Sequence, residues 1–361
     1  MSQTSKSKSS KTTPKTSVDS LEQAPQANAS AFLPLTLPWQ QPLWQNLTQR
    51  FPDMGHALLF YGKNGCGKSI FQQHFMAWVL CQNKQSEHAC GECQSCHWLK
   101  AGTHPQLKII RPDYDEKRQV YSSIKIEQIR ELVEFTQQTV EGWRIIVIEQ
   151  AEKMNIASAN ALLKTLEEPG ERVLFILNTA QLLKLPATIR SRVQQFALDR
   201  ISQAQALDYL QKNITNQNHS IDEIKIALAF SADMPLQAID ILEQDWFVAR
   251  GKFIQQWLNL VQYKNQPMRF AIDNLKQLDF QAIVQMVCYT IQDCIALKLQ
   301  QPYKQSDMPM SELAQHYQLS ELFDILQYLN TIPQLVAQNV QSQLIIDQLA
   351  MYLMNVQSET I

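Results

Sequence analysis

One stretch of eight residues limits the folds open to this chain more than any other feature. Residues 62–69 read Gly-Lys-Asn-Gly-Cys-Gly-Lys-Ser and satisfy the pattern G-x-x-x-x-G-K-[ST] at every position. An apolar run, residues 57–61, precedes the stretch and a helical pattern, residues 69–80, follows it. A phosphate-binding loop requires this strand–loop–helix setting. The sequence therefore predicts an α/β fold with a parallel sheet that presents the loop at a strand end.

Each residue type in this loop has a physical role in binding phosphate. Gly62, Gly65 and Gly67 let backbone N–H groups approach phosphate oxygens, and the following helix N-terminus adds partial positive charge. Lys68 is expected to reach the outer phosphates, and Ser69 to bind Mg²⁺ through its hydroxyl. We therefore expect the loop to bind Mg-ATP or ADP. The alternative is a glycine turn that carries a lysine by chance.

Apolar runs alternate with helical patterns through the first half of the chain. Several runs are nearly continuous and β-branched, as is typical of parallel strands covered on both faces. The runs are residues 56–62, 107–112, 144–150, 172–179 and 193–198. The helical intervals between them predict βαβ crossovers, so residues 32–199 are predicted to form one α/β domain.

Beyond residue 199 the sequence becomes helical. All nine glycines lie at or before Gly251, and large aliphatic side chains recur at helical spacing from residue 322 to residue 329. Pro333 is predicted to separate that helix from a final one. We expect a small helical unit at residues 200–245 and a helical bundle at residues 246–361.

The first thirty residues are rich in Ser, Thr and Lys and contain almost no large apolar side chains. Such a segment cannot bury enough surface to offset its conformational entropy, so residues 1–31 are predicted to be a disordered tail. A transit peptide is the alternative. Asp19, Glu22 and the absence of arginine argue against it.

The charge balance excludes one class of function. The chain has 32 basic and 34 acidic side chains and a formal net charge of −2, which argues against a protein that coats DNA through a basic surface. No uninterrupted apolar run approaches the roughly 18–20 residues of a membrane span. We expect a cytoplasmic protein with no membrane partner.

Four of the seven cysteines fall in one short stretch: Cys81, Cys90, Cys93 and Cys96. Four thiolates with no open position are typical of a closed, tetrahedral structural zinc site. Two alternatives compete with zinc. Residues 93–97 also match the haem-attachment pattern C-x-x-C-H, which requires export, and a redox C-x-x-C would leave the other two cysteines unexplained.

A second motif bears on ATP hydrolysis. An active phosphate-loop ATPase needs an acidic residue at the end of a second strand, usually beside a carboxylate that activates water. The run at 144–148 is followed by Glu149 and Gln150. Glu149 offers a carboxylate to the metal, but an amide cannot accept a proton, so Gln150 argues against hydrolysis at this site. Glu152 is expected to face elsewhere.

Two further segments resemble the signature of bacterial DNA polymerase III clamp-loader subunits. They are residues 160–169, Asn-Ala-Leu-Leu-Lys-Thr-Leu-Glu-Glu-Pro, and residues 189–192, Ile-Arg-Ser-Arg. The four-cysteine spacing is shared by that family's ATPase and delta-prime subunits. Pro38-Trp39 and residues 101–105, Ala-Gly-Thr-His-Pro, resemble delta-prime more closely. The resemblance covers residues 32–245.

The resemblance implies an AAA+ fold. In that fold an α/β module carries a zinc module, at residues 81–104 here, and is followed by a helical lid and an all-α collar for oligomerisation. The resemblance also implies a place in a hetero-oligomeric ring with gamma/tau ATPase and delta subunits, within the DNA-directed DNA polymerase III holoenzyme. Such rings load a sliding clamp onto primed DNA.

The same resemblance assigns roles to single residues. Delta-prime subunits resemble a stator in the ring, and Arg192, beside Ser191, matches an arginine finger that acts in trans on ATP held by a neighbouring subunit. A guanidinium there stabilises charge that develops on the γ-phosphate. The alternative for Arg192 is a salt-bridged surface residue after a strand. Thr179 falls near the family's sensor-1 position.

The chain departs from the family pattern at several positions. Val193 stands where the family has cysteine, and Leu236 stands where the ATPase relatives carry a nucleotide-sensing arginine. Together with Gln150, these departures predict nucleotide binding without productive turnover. Glu167 and Glu168 are expected to form a charged helix end. An active motor subunit of the gamma/tau type is the main alternative, and a zinc-bearing small-molecule kinase is a third hypothesis.

Overall fold

The computed structural model describes residues 36–115, 120–137, 141–214, 219–263 and 278–354. The predicted disordered tail, residues 1–31, lies outside the described residues.

A five-stranded parallel sheet forms the centre of the first half of the chain. The strands are β1 (Ala57–Tyr61), β2 (Leu107–Ile110), β5 (Arg144–Ile148), β6 (Val173–Thr179) and β7 (Gln194–Ala197). Their order in the sheet is β2-β5-β6-β1-β7, and each pair of neighbouring strands is parallel. Each strand lies within one of the five predicted runs, so the predicted parallel α/β fold is confirmed.

Both faces of this sheet are packed. Along β5, Ile145 and Val147 belong to one apolar cluster, whereas Ile146 and Ile148 belong to the cluster on the opposite face. Side chains alternate in this way because successive residues of a strand point to opposite faces. A two-stranded antiparallel pair, β3 (Tyr114–Asp115) and β4 (Val120–Tyr121), lies outside the main sheet and was not predicted.

Helices cover the sheet and make up nearly all of the second half of the described chain. Six helices accompany the sheet: α1 (Gln41–Arg50), α2 (Lys68–Leu80), α3 (Gln94–Lys100), α4 (Ile126–Gln137), α5 (Ile156–Glu167) and α6 (Ala187–Arg190). Within the described part of the chain, eight follow it: α7 (Gln203–Asn213), α8 (Ile221–Phe230), α9 (Pro235–Glu243), α10 (Asp245–Tyr263), α11 (Phe280–Lys298), α12 (Met310–Gln315), α13 (Leu319–Ala337) and α14 (Ser342–Leu353). Side chains of these eight share one continuous apolar cluster, from Ala206 to Leu353.

The prediction that Pro333 separates the last two helices is wrong. Pro333 lies inside α13, which continues to Ala337. A proline in a helix removes one backbone hydrogen bond and often only kinks the helix. The helix ends instead where Asn339 adopts a left-handed conformation, φ 61°, and the N–H of Val340 donates to the carbonyl oxygen of Leu335 at 3.0 Å.

One helix among the described residues, α11, is long and apolar enough to cross a membrane by length and composition. Within the protein, 44% of its most apolar window is buried. Ile283, Val287 and Ile291 of this helix pack in the helical core. Because core helices pass the same test, this helix is a weak sign of a membrane span.

Candidate functional site

The predicted phosphate loop, residues 62–69, lies at the carboxyl edge of the parallel sheet, where it joins β1 to α2. Tyr61, the last residue of β1, is aligned with Thr179 at the end of β6. Ile148, the last residue of β5, is aligned with Leu177 of β6, so Glu149 follows at the same edge. The fold therefore brings the predicted nucleotide-binding residues of three neighbouring strands to one edge, where ligands bind in open parallel sheets.

The loop has the backbone that its glycines predict. Gly65 and Gly67 adopt positive φ values of 80° and 88°, a region that favours glycine. Lys68 is buried, and its ammonium group donates to the carbonyl oxygens of Gly62 and Lys63, both at 3.0 Å. Ser69 is half-buried in the first turn of α2. The lysine thus lies within the loop that it is predicted to serve.

Two distant segments contact the loop directly. The N–H of Leu236, in the first turn of α9, donates to the carbonyl oxygen of Gly65 at 3.2 Å. On another side, the indole N–H of Trp39 donates to the carbonyl oxygen of Cys66 at 2.9 Å, and the Trp39 ring meets the ring of Tyr209 edge-on at 5.0 Å. Helix α9 and the segment before α1 therefore both contact the loop, and Trp39 of that segment also contacts Tyr209 of α7.

Glu149 and Thr179, two predicted nucleotide-binding residues, contact other protein groups. Glu149 Oε2 lies 3.4 Å from Nε of Arg111. The hydroxyl of Thr179 accepts a hydrogen bond from the N–H of Gln181 at 3.0 Å. Gln150 adopts a left-handed backbone, φ 49°, before a short 3₁₀ turn. That conformation is uncommon for a residue other than glycine.

The turn at Gln150 also directs Glu152 back toward the sheet. Glu152 Oε1 accepts a hydrogen bond from the N–H of Ala180 at 3.4 Å, next to Thr179. The sequence-based expectation that Glu152 faces elsewhere assumed a regular helix start, and the left-handed residue breaks that assumption. Glu152 therefore lies at the same edge as the predicted site.

The four clustered cysteines come together. Their sulfur atoms all lie within 4.8 Å of one another. Sγ of Cys81 is 3.5 Å from Sγ of Cys90 and 3.9 Å from Sγ of Cys93, and Sγ of Cys90 is 3.9 Å from Sγ of Cys96. A tetrahedral zinc ion with Zn–S bonds of about 2.3 Å would separate its sulfur ligands by about 3.8 Å. The cluster therefore has the donor type and spacing that a metal ion requires.

Backbone groups also support these sulfur atoms. The N–H of Cys90 donates to Sγ of Cys81 at 3.2 Å, and the N–H of Cys93 donates to Sγ of Cys90 at 3.3 Å. Burial raises the pKa of the Cys81 and Cys96 thiols. A metal ion would have to displace protons from these thiols on binding, and its positive charge favours that release.

Arg192 occupies a different edge of the sheet. It follows α6 and precedes β7, so the description of Arg192 as a residue after a strand is wrong. Gln194 at the start of β7 is aligned with Leu58, near the start of β1. Because β7 and β1 are parallel, Arg192 lies at the amino edge, whereas the phosphate loop lies at the carboxyl edge.

The guanidinium of Arg192 is exposed and held by several groups. Oε1 of Glu167 lies 2.7 Å from Nε and 2.6 Å from Nη2. Nη1 donates to the carbonyl oxygen of Thr188 at 3.0 Å and lies 3.4 Å from Oγ of Ser191. Glu167, predicted only as part of a charged helix end, is therefore an ion-pair partner of the predicted finger.

Comparison with known proteins agrees with this architecture. The family model described as "DNA polymerase III, delta subunit" matches residues 39–202. The delta-prime subunit of DNA polymerase III from Pseudomonas aeruginosa is 38% identical over 203 residues, which cover 56% of this chain and 60% of that protein. The Haemophilus influenzae delta-prime subunit is 30% identical over 271 residues, which cover 73% of this chain and 78% of that protein. This chain belongs to the delta-prime family of DNA polymerase III subunits.

This chain is also similar to tau/gamma subunits of DNA polymerase III. The tau/gamma subunit of Haemophilus influenzae is 34% identical over 179 residues, or 48% of this chain and 25% of that protein. The matches to both delta-prime relatives leave part of each relative's length uncovered, 40% in the Pseudomonas protein.

Some contacts of this delta-prime chain were missed by sequence reasoning. Trp39 was noted as part of a motif, but the motif does not reveal its hydrogen bond to the phosphate loop. Glu167 lies 25 positions before Arg192, a separation at which no helical or strand periodicity predicts contact. The sequence offers one weak signal, the opposite charges of Glu167 and Arg192.

Proposed function

We propose that this delta-prime chain is a stator-like subunit of the replicative clamp loader that presents Arg192 to ATP bound on a neighbouring ATPase subunit. The observation that carries the proposal is the position of Arg192 relative to the chain's own phosphate loop. Leu58, aligned with Gln194, lies four residues before Gly62. Four strand residues span about 13 Å, so Arg192 lies at the opposite edge of the sheet from its own loop, which supports a role toward another subunit.

The proposed partners follow from the family and from its related subunits. The ring would contain gamma/tau and delta subunits, and it would act in the cytoplasm to load a sliding clamp onto primed DNA. An exposed guanidinium offers N–H donors in the fixed geometry that phosphate oxygens accept. Exposure of Arg192 at an edge of the sheet supports its use across a subunit interface.

The test is ATP hydrolysis by a reconstituted loader that contains Arg192→Ala. We expect hydrolysis at the neighbouring site to fall by about 10³-fold or more, the range of arginine fingers generally. Arg192→Lys should restore little activity because an ammonium cannot form the planar fork. Arg130→Ala, an exposed arginine on α4, is the matched control. Unchanged hydrolysis with Arg192→Ala, at equal assembly, would contradict the finger.

We further propose that the chain binds nucleotide without turnover. The complete phosphate loop and the buried Lys68 support binding. Gln150 lacks a basic carboxylate, and Glu149 lies beside Arg111, which supports the lack of turnover. An active gamma/tau-like motor is the second candidate, and the intact loop favours it. Steady-state hydrolysis by the purified chain, with Lys68→Ala as control, separates the two: turnover that disappears with Lys68 would establish the motor.

The cysteine cluster is proposed to hold one structural zinc ion. Cys81, Cys90, Cys93 and Cys96 would supply all four ligands, leaving no position for substrate. The domain boundaries also stand as proposals: an α/β domain at 32–199, a lid at 200–245 and a collar at 246–361. The apolar core that lid and collar share supports a rigid connection between those two units.

A further inference from the structure

A hydrogen-bond network of buried polar groups lies beside the cysteine cluster. Ser95 is 3% exposed and His104 is 6% exposed. Oγ of Ser95 donates to the carbonyl oxygen of Leu80 at 2.7 Å and lies 2.8 Å from Nε2 of His104. Polar groups this deeply buried cost free energy unless they are hydrogen-bonded, and here both side chains have partners.

Every hydrogen bond in this network donates in the same direction, from Gln106 toward the carbonyl oxygen of Leu80. Nδ1 of His104 accepts a hydrogen bond from the N–H of Gln106 at 3.1 Å. The proton of the neutral ring therefore lies on Nε2, which donates to Ser95, and the Ser95 hydroxyl donates in turn to Leu80. Burial lowers the pKa of His104, in keeping with a neutral ring. Each donor in this hydrogen-bond network is thereby paired with one acceptor.

Two of these hydrogen-bonded residues lie next to the proposed metal ligands. Leu80 is the last residue of α2 and precedes Cys81, and Ser95 lies in the first turn of α3 and precedes Cys96. The hydrogen bond between Ser95 and Leu80 therefore ties together the two elements that carry these cysteines. His104 supports the bond from the loop that follows α3.

We propose that Ser95 and His104 are positioning residues of the metal site, which hold α2 and α3 at the separation that lets Cys81 and Cys96 bind the same ion. The inference rests on the proposed metal site. Neither side chain contributes a ligand atom. Groups that orient metal ligands typically change metal affinity by about 10–100-fold when they are removed.

The test measures zinc release from the purified full-length chain into excess EDTA. Ser95→Ala removes the donor to Leu80, and His104→Phe keeps an aromatic ring but removes the donor to Ser95. We expect both variants to release zinc roughly 10–100-fold faster than the unsubstituted chain. His97→Gln is the matched control, because His97 directly follows Cys96 but is exposed. Its release rate should be unchanged.

A conservative variant separates positioning from a loss of packing. His104→Gln replaces the ring with a side chain that still carries an N–H donor, and it should release zinc more slowly than His104→Phe. If Ser95→Ala cannot be purified as a folded protein, the zinc release rates of His104→Gln and His104→Phe test the inference. Release rates that match the unsubstituted chain in both Ser95→Ala and His104→Phe would overturn the inference.

A second measurement uses Co²⁺ after the zinc has been removed. Four thiolates around Co²⁺ give a tetrahedral absorption spectrum, and its titration reports affinity without any ATPase measurement. We expect Ser95→Ala and His104→Phe to bind Co²⁺ about 10–100-fold more weakly than His97→Gln. Equal affinities would overturn the positioning role. An unsubstituted chain that binds neither metal would refute the proposed metal site itself, which is a distinct result.

Discussion

Oε1 of Glu167 lies 2.6 Å from Nη2 of Arg192, across the gap between the end of α5 and the start of β7. The Arg192 side chain is 37% exposed and that of Glu167 is 51% exposed. Ion pairs this exposed contribute about 0–1 kcal/mol because water and salt screen them. The pair therefore holds the guanidinium only weakly, and the proposed finger role would require a phosphate oxygen to replace the carboxylate.

The first prediction concerns the stability of this pair. Glu167→Gln should lower the free energy of unfolding by no more than about 1 kcal/mol, and the loss should shrink at high salt. Urea unfolding at low and high ionic strength measures both effects. Glu168→Gln changes the neighbouring carboxylate and serves as the control. A loss above about 2 kcal/mol would contradict the view that the pair is readily exchanged.

The cysteine cluster predicts one zinc ion per chain. Cys96→Ser should abolish stoichiometric zinc, because a hydroxyl is a poor substitute for a thiolate ligand. Chelation of the metal should also lower the thermal unfolding midpoint, since metal bound only to the folded state stabilises it. Cys288→Ser, far along the chain in α11, should retain full metal content. Metal analysis that finds no zinc in freshly purified protein would refute the prediction.

Gly65 and Gly102 make a matched pair for testing the contact between α9 and the phosphate loop. Both have positive φ values, 80° and 69°, so alanine is strained at either position by about 1–2 kcal/mol. A Cβ at Gly65 would also lie 2.5 Å from Cβ of Gln237 in α9, whereas a Cβ at Gly102 meets no atom within 4 Å. Gly65→Ala should therefore cost a further 1–3 kcal/mol or so. If Gly65→Ala and Gly102→Ala lose equal unfolding free energy in urea, α9 shifts without cost to make room for the new Cβ.

His74 predicts a pH dependence of stability. Its ring is buried and stacks on Trp44 with centroids 4.0 Å apart, and burial lowers the pKa of His74 from 6.5 to about 4. Between these values the unfolded chain binds a proton that the folded chain does not. Stability should therefore fall on acidification from pH 6.5 toward pH 4, by up to about 1.4 kcal/mol per pH unit from this residue.

The control for that prediction is His74→Phe, which keeps an aromatic ring but cannot titrate. The difference in unfolding free energy between the unsubstituted chain and this variant should shift with pH in that window, in favour of the variant at low pH. Above pH 7 the difference should be constant. A pH-independent difference throughout would show that His74 has an ordinary pKa in the folded protein.

Several features could be predicted because they depend on residues close together in the chain. The phosphate loop, the five parallel strands and the four-cysteine cluster each have a local pattern that the structure reproduces. Pro333 shows the limit of such patterns. A proline lowers helix stability locally, but the surrounding apolar contacts kept α13 intact, and Asn339 ended it instead.

Most strands and helices, the phosphate loop and the cysteine cluster can be predicted from the chain alone, because periodicity, glycine placement and ligand spacing act over a few residues. Which distant groups meet depends on how these elements pack. Leu236 reaches Gly65, Glu167 reaches Arg192, and the Ser95–His104 pair reaches Leu80 through the packing of separate elements. A hydrogen bond or ion pair carries no periodic signal in the chain, so these contacts emerge only when the apolar faces of helices and sheet have set the distances between them.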